Sequence, residues 1–192
     1  MSDPRVVVGF TGASGIPIGV ETVEALSEHF AVHTVLTSGA RSVMAQETDS
    51  AEETMSAIES ASTAVYDGED LAAPIASGTV ATTGMVVVPA SMKSVAGIAN
   101  GYAENLLLRA ADVTLKEDRQ LVVVPRESPL NQAHLENLLA LRKRSVAVVP
   151  PVLGFYYDPQ SIDDVIDRIV GTVLDRFDVP HDRYDPWNPD EA

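Results

Sequence analysis

Residues Val6–Gly15, "VVVGFTGASG", run directly into Ile16–Phe30, "IPIGVETVEALSEHF". The first is a short, uncharged, β-branched run that reads as a buried strand, and the second carries apolar residues at helical spacing. Between them Gly9, Gly12 and Gly15 recur at every third position, with Thr11 and Ser14 interspersed. A strand that ends in such a turn and feeds a helix can offer backbone N–H groups, a hydroxyl and the positive end of the helix to an anion, and a phosphate fits. Neither G-x-G-x-x-G nor G-x-x-x-x-G-K-[ST] is present, so the turn taken alone is equally explained as a tight bend.

The same alternation continues along the chain. Strands are predicted at Val6–Phe10, Val32–Leu36, Met85–Val88, Leu121–Val124 and Val146–Val149, and helices over Ile16–Phe30, Ala40–Gln46, Ala103–Glu117, Leu130–Arg144 and Ser161–Phe177. That pattern defines an α/β layered domain with a mostly parallel sheet. The chain has 192 residues, 45% of them hydrophobic, which suits one core and predicts a single domain over 1–192. The stretch Ser50–Thr63 and the Pro/Asp-rich end, an acidic tail from about Asp178, read as weakly structured.

Open parallel sheets bind ligands beyond the carboxyl ends of their strands. Those positions here hold "TGASG", "TSGAR", "PASMKS", "PRESP" and "PPVLGFYYDP". Ser38 and the run Ser91–Ser94 add donors to those of Gly12, Ser14 and Gly15, although Ser38 taken singly reads as a helix N-cap. In "VPRESP", Arg126 can hold a phosphate or carbonyl oxygen. Glu127, in a partly dry cleft, can have its pKa raised and exchange a proton with substrate; the alternative is an ion pair capping the helix from Leu130. Arg109 and Lys116 stand seven apart on one predicted helix, so they share a face and form either a second anion site or a solvated surface.

Charge and composition exclude several classes. The 28 Asp and Glu outnumber 13 Lys and Arg, for a formal charge of -15, which argues against nucleic acid as a partner. Two readings of that surface stand open: adaptation to high salt, as in a halophile, or an ordinary acidic protein. There is no cysteine, and His29, His33, His134 and His181 lack ligand spacing, so no metal is expected. No apolar run spans a bilayer and the start of the chain lacks a signal pattern, so a cytoplasmic location is expected and no membrane association.

Several of these loops together resemble the UbiX-type flavin prenyltransferases, formerly described as aromatic-acid or phenylacrylic acid decarboxylases. The matching stretches are "GASG" (Gly12–Gly15), "ETD" (Glu47–Asp49), "ASG" (Ala76–Gly78), "RAADVTLKE" (Arg109–Glu117), "LVVVPRESPL" (Leu121–Leu130), "HLENLLAL" (His134–Leu141) and "PPVLGFYYDPQSIDDVID" (Pro150–Asp167), in an order that covers nearly the whole chain. The resemblance implies a flavodoxin-like or Rossmann-like doubly wound fold with helices on both faces. It also implies reduced FMN as cofactor, dimethylallyl monophosphate as donor, and no metal. In that family C1 of the prenyl group bonds to flavin N5 and C3 then closes onto C6, and the prenylated FMN serves a UbiD-type decarboxylase.

Carried over residue by residue, the resemblance assigns FMN contacts to Gly12, Ala13, Ser14, Ser38, Ser91, Met92, Lys93, Ser94 and Arg126. Glu127 is expected in proton transfer or in helping the phosphate leave, Glu47 near flavin N5, and Ser14 is counted with them as catalytic. Arg109, Lys116, Arg126 and Tyr156 are expected at the prenyl phosphate, and Trp187 is expected to close the site with an aromatic face that, like Tyr156, stabilises allylic cation character. Members of the family usually carry Arg or Lys where Thr172 stands. Arg168, one helical turn earlier, can replace that cation; otherwise the donor binds more weakly or a diphosphate is preferred. A homo-oligomer, typically a dodecamer, with sites built from more than one subunit is also implied. The competing readings are an FMN-dependent cysteine decarboxylase and a flavin-binding protein without prenyl transfer.

Overall fold

The structure is a computed structural model and describes residues 4–185. Six strands form one sheet: β1 (Arg5–Phe10), β2 (Ala31–Leu36), β3 (Ala64–Asp67), β4 (Gly84–Ala90), β5 (Gln120–Pro125) and β6 (Ala147–Val148). Their order is β3-β2-β1-β4-β5-β6, and every pairing is parallel. Seven helices cover it: α1 (Ile16–Ser27), α2 (Ser38–Glu47), α3 (Ala51–Ala61), α4 (Met92–Asn100), α5 (Leu106–Lys116), α6 (Gln132–Arg142) and α7 (Ile162–Asp175).

Alternation along the strands divides the core. Val6, Val8 and Phe10 of β1 face α1, α2, α3 and α7, whereas Val7 with Met85, Val87 and Val123 faces α4, α5 and α6. Both faces are therefore apolar, as a doubly wound parallel sheet requires. The expected α/β fold with helices on both faces is what forms. The chain winds outward from β1 through β2 to β3, then returns to start β4 on the other side of β1. The loops after β1 and β4 consequently diverge, and a crevice opens between them at the carboxyl edge.

Three expectations are corrected. Residues 51–61 are helical rather than weakly structured: Ser50 caps α3 by accepting the Glu53 N–H at 3.2 Å, and Glu52 and Glu53 sit in its first turn, where the helix dipole favours acid. Its apolar face is thin, with Ile58 alone fully buried, so the acidic surface hid the period. The loop after β4 is also short, because α4 begins at Met92 and ends at Gly101, φ 66°, before α5 starts at Leu106 rather than Ala103. Finally, β6 is two residues instead of four, and β3 is an edge strand that the pattern did not reveal, its residues being half-buried or exposed.

Candidate functional site

The crevice is held shut at its base by Thr11. Its hydroxyl donates to the Pro89 carbonyl at 2.8 Å and accepts the Ser91 N–H at 2.7 Å, tying the end of β1 to the end of β4. Above that tie the first residues of α2, α4 and α5 line one cavity of about 560 Å³, with Gly12, Thr37, Ser38, Gly39, Ser91 and Asn105 among its walls. The caps of those helices are Thr37, Ser91 and Asn105, each accepting an N–H from its own first turn. Three helix N-termini aimed at one space favour an anion there, although Glu69 and the Lys93-paired Glu104 also line the cavity. Ser38, expected as a cap, is relieved of that duty by Thr37 and lines the cavity instead.

The turn itself does something other than the phosphate reading expected. Gly15, at φ 115°, is the N-cap of α1 and has no side chain with which to cap it. Glu47, from the end of α2, supplies the cap: one carboxylate oxygen accepts the Gly15 N–H at 2.8 Å and the Ile16 N–H at 3.1 Å, and Ser14 adds its hydroxyl. The positive end of α1 is thus already occupied by a carboxylate. The anion cavity lies next door, at α2, α4 and α5. Burial pushes the Glu47 carboxyl up, but the Ser14, Gly15 and Ile16 hydrogen bonds and the nearby Arg126 outweigh it, and the net shift is downward. Glu47, hydrogen-bonded by Ser14 and with Arg126 nearby, makes a charged cluster at the turn after β1. The resemblance placed Glu47 near the flavin, but its capping of α1 is visible only in the tertiary structure, which brings it to a helix 32 positions away.

The other expected residues are distributed as follows. Ala13 is buried beneath the loop, while Ser91 and Ser94 share a hydroxyl contact of 3.1 Å. Lys93 pairs with Glu104 at 3.1 Å on the cavity wall. The Met92 side chain is buried in the core, which leaves its backbone N–H to meet a ligand. Arg126 and Glu127 are exposed in the single chain, so the partly dry cleft expected around Glu127 is not made by this chain alone. Glu127 accepts the Ser128 N–H at 3.0 Å; the ion pair with Arg126 is absent among the described residues.

Arg109 and Lys116 do line up along α5, against the segment 76–78. Arg109 donates to the Ala76 carbonyl at 3.1 Å and pairs with Asp112 at 2.6 Å, while Lys116 pairs with Glu117 beside Gly78. α5 runs antiparallel to the strands, from Asn105 at the cavity to Lys116 at the opposite edge. One chain therefore does not bring Lys116 to the crevice. Tyr156 stands on the loop after β6, where it accepts a hydrogen bond from Arg168 at 3.0 Å. The Thr172 hydroxyl is spent on the Arg168 carbonyl at 2.8 Å. Tyr156, Arg168 and Thr172 line a cavity of about 500 Å³, joined by Arg142, Arg176 and Tyr157, which sequence reading missed. Trp187 lies outside the described residues.

The residues fit a flavin mononucleotide on structural grounds. Gly12 and Gly39 approach so closely that a Cβ on either would lie 3.1 Å from the other's Cα, so the cavity mouth depends on bare backbone there. Hydroxyls and helix N-termini suit the FMN phosphate. Among the described residues no cluster of acidic or histidine side chains could hold a metal, and no helix is long and apolar enough to cross a membrane.

These features define a flavoprotein, and residues 1–174 match the Flavoprotein family. The chain is 48% identical over 178 residues to a probable UbiX-like flavin prenyltransferase of Streptomyces sp. (strain D7), covering 92% of this chain and 88% of that one. The dodecameric FMN-dependent UbiX-like decarboxylase of Escherichia coli O157:H7 superposes with a TM-score of 0.91 at 42% identity, over 96% of this chain and 99% of its own. AnUbiX (PadA1), solved in complex with FMN and dimethylallyl pyrophosphate, superposes with a TM-score of 0.92 at 39% identity, over 97% and 98% of the two chains. This chain belongs to the UbiX-like flavin prenyltransferase family.

Proposed function

We propose that the protein is a flavin prenyltransferase that moves a dimethylallyl group from dimethylallyl monophosphate to FMN and works as a homo-oligomer, a dodecamer by analogy with its relative. The observation that carries this reading is the convergence of the α2, α4 and α5 N-termini beside the Ser14–Glu47–Arg126 constellation at the β1/β4 crevice. Reduced FMN, when bound, supplies the N5 and C6 positions that accept the prenyl group.

The chain's own residues then have separable tasks. Gly12, Ser38, Ser91 and Ser94, with the Met92 and Lys93 backbone, hold the FMN phosphate, and Ala13 supports the loop. Arg126 spans flavin and donor. Glu47, kept ionised, fixes Ser14 beside the flavin ring. Glu127 takes the proton released at C6. Tyr156 and Arg168 bind the departing phosphate, whose negative charge must be neutralised as the allylic bond breaks. Arg168 thus stands in for the cation absent at Thr172. Arg109 and Lys116 reach a site only from a neighbouring copy, and Trp187 closes it.

Exposed apolar side chains support assembly. Phe155 is 81% and Val152 67% exposed on the loop that carries Tyr156, and Leu135 and Leu139 of α6 are also open. One FMN-binding domain over residues 1–192, a UbiD-type decarboxylase as recipient of the product, and a cytoplasmic location complete the proposal.

The test is anaerobic incubation with reduced FMN and dimethylallyl monophosphate, with the diphosphate in parallel, and mass spectrometry of the released flavin. A gain of one five-carbon unit is expected. Unmodified flavin with both donors refutes prenyl transfer.

A further inference from the structure

After α7 the chain turns back along that helix, and residues 179–185 lie against it as a strap. Val179 is buried, and the Tyr184 ring rests on Gly171, where a Cβ would come within 2.6 Å of it. The Tyr184 hydroxyl donates to Asp175, whose carboxylate also meets His181 Nε2 at 3.2 Å. The upper face of the Tyr184 ring carries Arg168, with the guanidinium carbon 3.8 Å from the ring centroid. Arg168 in turn donates to the Tyr156 hydroxyl at 3.0 Å.

Three acids, Asp164, Asp167 and Asp185, line the same cavity as Arg168. Asp185 is exposed at the end of the strap, and the other two are engaged elsewhere. Asp164 accepts the Gln160 and Ser161 N–H groups at 2.6 and 2.9 Å, completing the cap of α7. Asp167 and Glu21 both receive Arg183, at 2.6 and 3.1 Å. Arg168 itself has no carboxylate within ion-pair distance among the described residues. In a chain with more than twice as many acids as bases, a guanidinium stacked on one phenol ring, bonded to another and kept clear of carboxylates is arranged for an external anion.

We infer that the strap is part of the donor site: Tyr184 positions Arg168 from below, and Arg183 holds Asp167 away from it, so that Arg168 and Tyr156 together face the donor phosphate. Tyr184 and Arg183 are positioning residues here. The inference rests on the reading of the Tyr156 loop as the donor site.

The test is calorimetric titration of dimethylallyl monophosphate into protein loaded with oxidised FMN, in which no transfer takes place, alongside the mass-spectrometric transfer assay. Tyr184→Leu is expected to weaken donor binding about ten-fold, the worth of a half-buried cation–ring contact, between the exposed and desolvated cases. Tyr184→Phe, which keeps the ring, should bind within about three-fold of wild type. Arg183→Ala should weaken binding because Asp167 is released toward Arg168, and adding Asp167→Asn should restore it; loss of packing alone would not be rescued by removing an acid. FMN affinity should be unchanged throughout. Wild-type donor affinity in Tyr184→Leu, or no rescue in the double variant, overturns the inference. The expected binding pattern without prenylated flavin would uphold the strap and sink the transfer reaction, whereas transfer with donor affinity indifferent to Tyr184 would do the reverse. Failure of the wild type to bind the donor overturns both.

Discussion

Glu47→Gln tests how the turn after β1 is held. In the native turn a carboxylate accepts the Gly15 N–H at 2.8 Å and the Ile16 N–H at 3.1 Å, and Gly15 offers no cap of its own. Hydrogen bonds to a charged group contribute about 1.5–3 kcal/mol against about 0.5–1.5 for neutral ones. A carboxylate at a helix N-terminus adds about 0.3–1 kcal/mol. Glutamine retains an oxygen acceptor and loses the charge, so the expected cost is about 1–2 kcal/mol. For a chain of this length that lowers Tm by about 2–8 °C. The assay is thermal unfolding followed by circular dichroism with FMN removed, so that flavin binding does not enter. The pH dependence adds a second check. The Glu47 carboxyl lies below its ordinary 4.5, because its hydrogen bonds and Arg126 outweigh burial. A depressed carboxyl contributes stability that is present above the unfolded value and is lost as pH falls through the folded one. The gap between wild type and variant should therefore be full at about pH 7 and close progressively below about pH 4.5. An unchanged Tm at neutral pH, or a gap that persists at about pH 2, refutes the capping role.

His33 is buried, its Nδ1 shares a hydrogen bond with the Tyr66 hydroxyl at 2.9 Å, and its Nε2 has no partner among the described residues. Burial, and then Arg5, push its pKa below 6.5, so the neutral ring is the folded form and its contribution is whole above that pH and lost below it. Urea midpoints of the wild type should fall between about pH 7 and pH 5 more than those of His33→Gln, and parallel profiles would refute this. The net charge of -15 predicts loss of assembly or of fold on dialysis into low salt, read by light scattering and circular dichroism; indifference to salt removes the high-salt reading. Ser14→Ala and Lys116→Ala, each inactive alone, should regain activity in about a quarter of sites when co-assembled, if neighbouring copies share a site. Mixed assemblies as inactive as their parents would place Lys116 outside the reaction.

The layers of the fold were legible because burial on both faces leaves parallel strands as unbroken apolar runs, as in Val6–Phe10 and Leu121–Val124. What escaped lacked that contrast. β3 is a half-buried edge of four residues, and α3 presents only one fully buried side chain, so neither concentrates enough apolar character to announce itself. The site divides the same way. "GASG", Ser38 and Ser91–Ser94 were visible because strand ends are where ligands gather. The resemblance put Glu47 near the flavin, but its capping of α1 was not visible, since its partners lie 31 and 32 positions away. Met92 stands between the cavity residues Ser91 and Lys93 yet turns its side chain inward, because α4 starts there and its first turn must reach the core.

The distribution of cations across α5 carries the argument beyond the single chain. Seven residues separate Arg109 from Lys116, which spacing reads correctly as one face, yet spacing does not say toward which edge of the sheet that face leads. α5 has 11 residues and is therefore about 16 Å long. It starts at the anion cavity and ends beside Gly78, just before β4 begins. Ser14 and Lys116 thus occupy opposite edges of the sheet that joins them, and no rotation of a lysine side chain spans that distance. If both act on one donor molecule, the carboxyl edge of one copy has to meet the α5 end of another. The exposed apolar loop that carries Tyr156 then has a covering surface, and Glu127, open to solvent in the single chain, acquires the enclosure that proton transfer needs.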